Sequence, residues 1–185
     1  MTKKVLAILA EGFEEVEAVT PIDVLRRANI EVTVAALNAE RQVKGAHGIV
    51  IVADKILSEV KGGFDALVLH GGMPGAANLA NSPVVNNLIR DYFKKGKLIA
   101  AICASPAVVL APTGILRGKK ATCFPGCEKD FGKDVTFVKE SVVIDGNVIT
   151  SRGLGTAHAF ALAIVGKLLG PQEEKILAER TLANA

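Results

Sequence analysis

Cys103 stands directly after Leu98–Ile102 (LIAAI), a run with no polar residue, and directly before Ala104-Ser105-Pro106. A thiol placed where a buried strand gives way to a helix projects from the crest of a sheet, as in a nucleophile elbow. A helix N-terminus behind it stabilises the thiolate and lowers its pKa. The Ala104 N–H then supplies one oxyanion donor. Gly71-Gly72, after the apolar run Asp65–Leu69, offers another, because glycine lets main chain approach a ligand closely. Glu17, on the helix predicted after the first strand, is the candidate partner. Ionised, it would repel a thiolate and raise both pKa values; protonated, it would donate a hydrogen bond to the sulfur or to an oxidised sulfur. The plainer alternatives are a small buried thiol at 103 and helix-start charges on a solvated face at Glu14, Glu15 and Glu17.

The remaining candidates carry less. Cys123 and Cys127 have a spacing that zinc tolerates, but a site needs four ligands and no second pair exists, so no metal is expected. They read as ordinary thiols; the sharper alternative is that Cys123 resolves an oxidised Cys103 as a disulfide. Gly71-Gly72-Met73-Pro74-Gly75 follows a strand but lacks the dinucleotide fingerprint and the phosphate-loop lysine, which argues against nucleotides. His47, His70 and His158 are scattered and read as structural or exposed, with His70 set apart by its place beside the glycine pair.

The elements that must position these residues alternate. Val5–Ala10, Glu31–Ala36, Asp65–Leu69 and Leu98–Ile102 read as strands, the apolar ones covered on both faces. Helices are predicted over Glu14–Ala28, Pro83–Lys95, Ala104–Ala111, Thr156–Leu169 and Glu173–Arg180, with Pro21 implying a kink or break in the first. Val43–Lys44 and Ile49–Val52 read as a small hairpin. Short strands near Lys120–Cys123, Val135–Lys139, Ser141–Ile144 and Val148–Thr150 include a hairpin turn at Asp145-Gly146. The predicted class is α/β, a mostly parallel sheet with helices on both faces, whose ligands bind at strand carboxyl ends where strand order reverses.

Composition agrees with that reading. The 185 residues form one domain, 1–185, with 50% hydrophobic and 4% aromatic residues and a net charge of +3. That charge and the scarcity of aromatics argue against nucleic acid. No stretch reaches the ~20 apolar residues a membrane span needs. Three cysteines without framework spacing argue against a disulfide-built domain. Val5–Ala10 is too short for a signal peptide and Glu11 ends it, so the expected location is the cytoplasm.

Four ordered segments carry a resemblance: Glu11–Glu17 (EGFEEVE), Leu67–Gly72 (LVLHGG), Ala100–Ala104 (AAICA) and Thr150–Thr156 (TSRGLGT). Together they resemble the ThiJ/PfpI superfamily, and within it the DJ-one branch, over nearly the whole chain. The resemblance implies a flavodoxin-like three-layer sandwich and a homodimer. It implies a reactive nucleophile at Cys103, a protonated Glu17 hydrogen-bonded to it, and backbone donors at Gly72 and Ala104. It places Arg27 near a dimer contact. Activities attributed to the branch are cofactor-free conversion of methylglyoxal or glyoxal to hydroxy acids, repair of glycated proteins, and oxidative-stress sensing or chaperone behaviour with the cysteine oxidised to sulfinate. The implied partners are therefore small reactive aldehydes or glycated proteins. Two departures matter: Phe124 stands before Pro125 where many members carry His, and Ala104 follows the nucleophile where the protease-like branch has His. The first removes a proton shuttle, so acid–base work falls to Glu17 or water; the second makes a protease unlikely.

Overall fold

The computed structural model describes residues 2–183. Seven strands form the main sheet: β1 (Lys4–Leu9), β2 (Glu31–Ala36), β5 (Lys55–Ile56), β6 (Ala66–Leu69), β7 (Leu98–Ile102), β10 (Val142–Asp145) and β11 (Val148–Ser151). Their order is β10-β11-β7-β6-β1-β2-β5, and every pairing is parallel except that of edge strand β10 with β11. The short strands β3 (Gln42–Lys44) and β4 (Val50–Val52) pair as a separate hairpin, and β8 (Lys120–Ala121) and β9 (Thr136–Phe137) as a separate parallel pair.

The central strands are apolar throughout because both faces are covered, and their residues divide by parity. Val5, Ala7 and Leu9 of β1 join a core with Ala18 and Leu25 of α1 (Glu15–Arg27), Phe160 and Ile164 of α4 (Ala157–Leu169) and Leu177 of α5 (Pro171–Arg180). Leu6 and Ile8 point the other way, joining Leu79 of α2 (Gly75–Ala80), Val85 and Ile89 of α3 (Pro83–Lys94), and Val109 and Leu110 of a five-residue π-helical segment, Pro106–Leu110. The result is the expected mostly parallel, three-layer sandwich. Cys103 touches both cores, because it sits on the crest between them.

Three details differ from the sequence reading. The helix predicted over Ala104–Ala111 is the short π segment followed by a 3₁₀ turn, Ala111–Thr113, since Pro112 and Gly114 stop a longer one. α2 and β5 went unpredicted, the first short and glycine-led, the second two residues long. α1 runs through Pro21 without interruption. Among the described residues, no helix is long and apolar enough to cross a membrane.

Candidate functional site

Strand β1 is flanked by β2 on one side and by β6 on the other, so strand order reverses at β1. The carboxyl ends of β1, β6 and β7 therefore open a crevice, the usual ligand position in such sheets. Each end delivers part of the site: β1 leads into α1 and Glu17, β6 into His70-Gly71-Gly72, and β7 into Cys103.

Cys103 adopts φ +66°, a left-handed conformation costly for a side-chain-bearing residue. Its surroundings over-determine it. Its N–H donates to the Ser151 carbonyl at 2.9 Å, and its carbonyl accepts from the Phe124 N–H at 2.8 Å. The sharp turn lifts the partly exposed thiol off the sheet. Next to it lies Gly71, whose lack of a side chain makes the space: a Cβ there would sit 2.5 Å from both the Cys103 Cβ and Glu17 Oε2. The Gly71 N–H donates to Glu17 Oε2 at 3.0 Å. Gly72, at φ +86°, turns its N–H toward the thiol, and the Ala104 N–H does the same. The crevice thus brings together Cys103, Glu17, Gly71, Gly72 and Ala104. Arg27 lies elsewhere, at the exposed end of α1, paired with Asp23 at 2.6 Å.

Glu17 is 1% exposed, far from the solvated face that ordinary helix-start charge would occupy. Burial raises its pKa to about 7, with the nearby Glu14 charge adding to the shift, while hydrogen bonds with Cys103 and from Gly71 oppose it. Burial also pushes the Cys103 thiol up, as do the charge of Glu17 and its hydrogen bond, against the pull of the Gly72 and Ala104 donors. This corrects the expectation of a thiol activated by a helix N-terminus: the helical segment is one turn, begins two residues late and is outweighed by desolvation. What the geometry offers instead is a pair. Thiol with carboxylate and thiolate with carboxylic acid are the same charge state, so the titration belongs to the pair and not to either group alone.

The neighbouring Glu15, 3% exposed, behaves oppositely. Burial alone would raise it, but the His47 ring at 3.0 Å and the N–H groups of His47 and Ile49 hydrogen-bond it and lower its pKa. It serves as the clamp of the loop between β3 and β4. Among the described residues, Glu14, Glu15 and His47 are the group whose metal-capable atoms lie within 4.8 Å of one another.

Two further walls complete the crevice. The Phe124 ring, 47% exposed, lies against Gly153, and a Cβ on Gly153 would stand 3.4 Å from that ring and 3.7 Å from Glu17 Oε1. Cys123 behind it is fully buried with its thiol pushed up to about 12, chiefly by burial, which makes it a poor attacking group. Sequence reasoning missed Ser105 and Ser151, which are buried and brace the crest. The Ser105 hydroxyl donates to the His70 carbonyl at 2.5 Å, and that of Ser151 to the Ser141 carbonyl at 2.8 Å. Serine in such short motifs gives no signal of burial.

A family model described as the DJ-1/PfpI family matches residues 3–167. The chain is 44% identical over 183 residues to Protein DJ-1 homolog B of Arabidopsis thaliana, a match covering 98% of this chain and 41% of that protein, so it spans about two fifths of that relative's length. It is 41% identical over 169 residues to the glutathione-independent glyoxalase DJR-1.2 of Caenorhabditis elegans, covering 90% of this chain and 89% of that one. Among solved structures, oxidized Toxoplasma gondii DJ-1 superposes with a TM-score of 0.96 at 37% identity, covering all of both chains.

Proposed function

Because the chain belongs to the DJ-1/PfpI family, we propose that it is a cysteine-dependent, cofactor-free enzyme converting methylglyoxal-like 2-oxoaldehydes, or their adducts on proteins, to hydroxy acids. The observation that carries this reading is the buried Glu17 carboxyl, titrating at about 7 and hydrogen-bonded with the Cys103 thiol. A general acid–base group is most effective with a pKa near the working pH.

The chemistry balances without an external oxidant. The Cys103 thiolate adds to the aldehyde carbon, forming a C–S bond, and Glu17 gives its proton to the resulting alkoxide. The Gly72 and Ala104 N–H groups hold that oxygen as charge develops. Glu17, now a carboxylate, removes the hydrogen on the former aldehyde carbon, and the electron pair moves onto the ketone oxygen to give an enediolate; Glu17 returns its proton to C2, and the C1 hydroxyl proton passes to the C2 oxygen. C1 is oxidised to a thioester while C2 is reduced to an alcohol. Water cleaves the C–S bond, releasing the hydroxy acid and restoring the thiol. Phe124 offers no proton, so Glu17 and water carry every transfer. The C. elegans relative's name, a glutathione-independent glyoxalase, supports the substrate class.

A second reading rests on the same thiol: an oxidation sensor or chaperone in which Cys103 reaches the sulfinate and turnover is incidental. A neighbouring structure described as oxidized DJ-1 favours keeping it. Homodimerisation is part of both readings. Val16 and Val19 on α1 and Ile49, Val50 and Val52 on the adjoining hairpin are about half exposed or more, an apolar face of the sort that marks an interface. The cytoplasm, where a free thiol persists, is the location both readings need.

The deciding experiment incubates the protein with methylglyoxal and measures lactate against Cys103→Ala. Turnover lost in the variant supports the enzyme. No lactate above the variant, together with oxidation-dependent suppression of aggregation, replaces it with the sensor.

A further inference from the structure

We propose that His70 is the positioning residue for Glu17, holding the helical turn that carries the carboxyl against the end of β6; this rests on the reading of Cys103 and Glu17 as the reacting pair. The starting point is Pro21. Four residues after Glu17, it has no N–H to give to the Glu17 carbonyl, which leaves a helix acceptor open inside a buried layer. α1 nevertheless continues, because His70 Nδ1 lies 2.9 Å from that carbonyl oxygen and supplies the missing donor.

The bond fixes the state of the ring. A carbonyl only accepts, so Nδ1 carries the proton and Nε2 is a bare lone pair. His70 is 1% exposed, and burial holds its pKa down to about 4, so the ring is neutral. Nε2 is itself buried and has no partner among the described residues. An imidazole that leaves one nitrogen unsatisfied is a poor core filler, and what it contributes here is the Nδ1 donor.

The same residue reaches the other two parts of the site through its backbone. Its carbonyl accepts from Ser105, two residues past the nucleophile, and the next N–H along the chain, that of Gly71, donates to Glu17 Oε2. Glu17 is thus held at both ends by consecutive residues of β6's exit: its carbonyl by the His70 ring, its carboxyl by Gly71. Loss of the ring donor frees the Glu17 carbonyl, which must then find water, and the turn moves away from Cys103. The charged groups facing this carboxyl are Cys103 and Glu14.

The test compares His70→Leu, His70→Asn and His70→Gln. The asparagine amide nitrogen falls close to the position of Nδ1, whereas a glutamine amide reaches toward that of Nε2. Glu17 is followed directly, by infrared difference titration of its carboxyl with Glu17→Gln as the blank, and Cys103 by iodoacetamide alkylation across pH. The expected result is a Glu17 titration that falls from about 7 toward the ordinary 4.5 in the leucine and glutamine variants and stays near 7 in asparagine. Alkylation at neutral pH should drop roughly tenfold in the first two and recover in the third. A folded leucine variant with an unchanged Glu17 titration overturns the proposal. If leucine does not fold, indistinguishable titrations in the asparagine and glutamine variants overturn it equally. A wild-type Cys103 that resists alkylation would defeat the functional reading instead, while the infrared titration would still report on His70.

Discussion

Replacing Glu17 by Gln should stabilise the protein at neutral pH while disabling it. The carboxyl keeps its proton from the ordinary 4.5 up to about 7 in the folded chain. Between those values the folded state holds a proton that the unfolded state has already released, so stability falls as pH rises through the window, and above 7 the whole cost is present. At ~1.4 kcal/mol per pH unit that cost is about 3 kcal/mol. Glutamine has nothing to ionise, matches the shape, and its amide oxygen still accepts from the Gly71 N–H. Glu17→Gln and the native chain should therefore be about equally stable at pH 4, and diverge until the variant leads by about 3 kcal/mol at pH 8. For a domain of this size that is roughly 6–12 °C in midpoint. Thermal or urea unfolding of both proteins at pH 4, 5, 6, 7 and 8 measures it. Groups away from the pair contribute equally to both and cancel, and Cys103, with an ordinary value of 9.0, is still mostly protonated in the unfolded chain at pH 8. A gap that does not change with pH, or a native chain that gains on the variant as pH rises, would refute the reasoning.

Other expectations concern the pair and its surroundings. Cys103 alkylation should rise through an apparent pKa of about 7, where the pair releases its first proton, and Glu17→Gln should move that rise to the ordinary thiol value of 9.0 or above; a native midpoint at 9.0 counts against a shared titration. Gly71→Ala, whose methyl would collide with Cys103 and Glu17, should leave the sheet folded, cost about 1–3 kcal/mol in stability and lower alkylation at least tenfold, as read by circular dichroism and mass spectrometry. Mild peroxide should oxidise Cys103 and spare buried Cys123, and a mapped Cys103–Cys123 bridge would contradict that. Val19→Asp should shift the protein from the proposed dimer to monomer in sedimentation velocity, because it puts a charge in the exposed apolar face of α1, and a native chain that sediments as a monomer counts against that dimer.

Much of this site is written locally. LIAAI before Cys103 specifies a buried strand ending at a thiol, and the glycine pair after LVLH specifies close backbone approach. Both are short-range patterns. The identity of the acid partner was harder, since Glu14, Glu15 and Glu17 look alike as a cluster. Helix periodicity and the neighbouring strand ends determine that Glu17 enters the crevice, Glu15 enters the loop clamp and Glu14 stays partly exposed. Pro21 could be seen as a freed carbonyl in the sequence, but its answer, His70, lies 53 residues away. The thiol's pKa is not legible for a related reason: local sequence suggests a helix dipole, whereas desolvation depends on everything folded around the group.

Glu15 has a consequence of its own. Its carboxylate gathers the loop that joins the two strands of the hairpin, and that hairpin carries three of the five residues of the exposed apolar face. Because its pKa is lowered, the clamp contributes stability above 4.5 and loses it as pH falls through the folded value, the opposite of Glu17. Acidification therefore loosens the molecule from its periphery inward. The outer surface lets go first, while the crevice, protonated and neutral, is at its most comfortable. Mild acid leaves the edge fastened, because it protonates His47 against a carboxylate that is still charged; only below 4.5 does the protein keep a neutral crevice beside an unfastened edge.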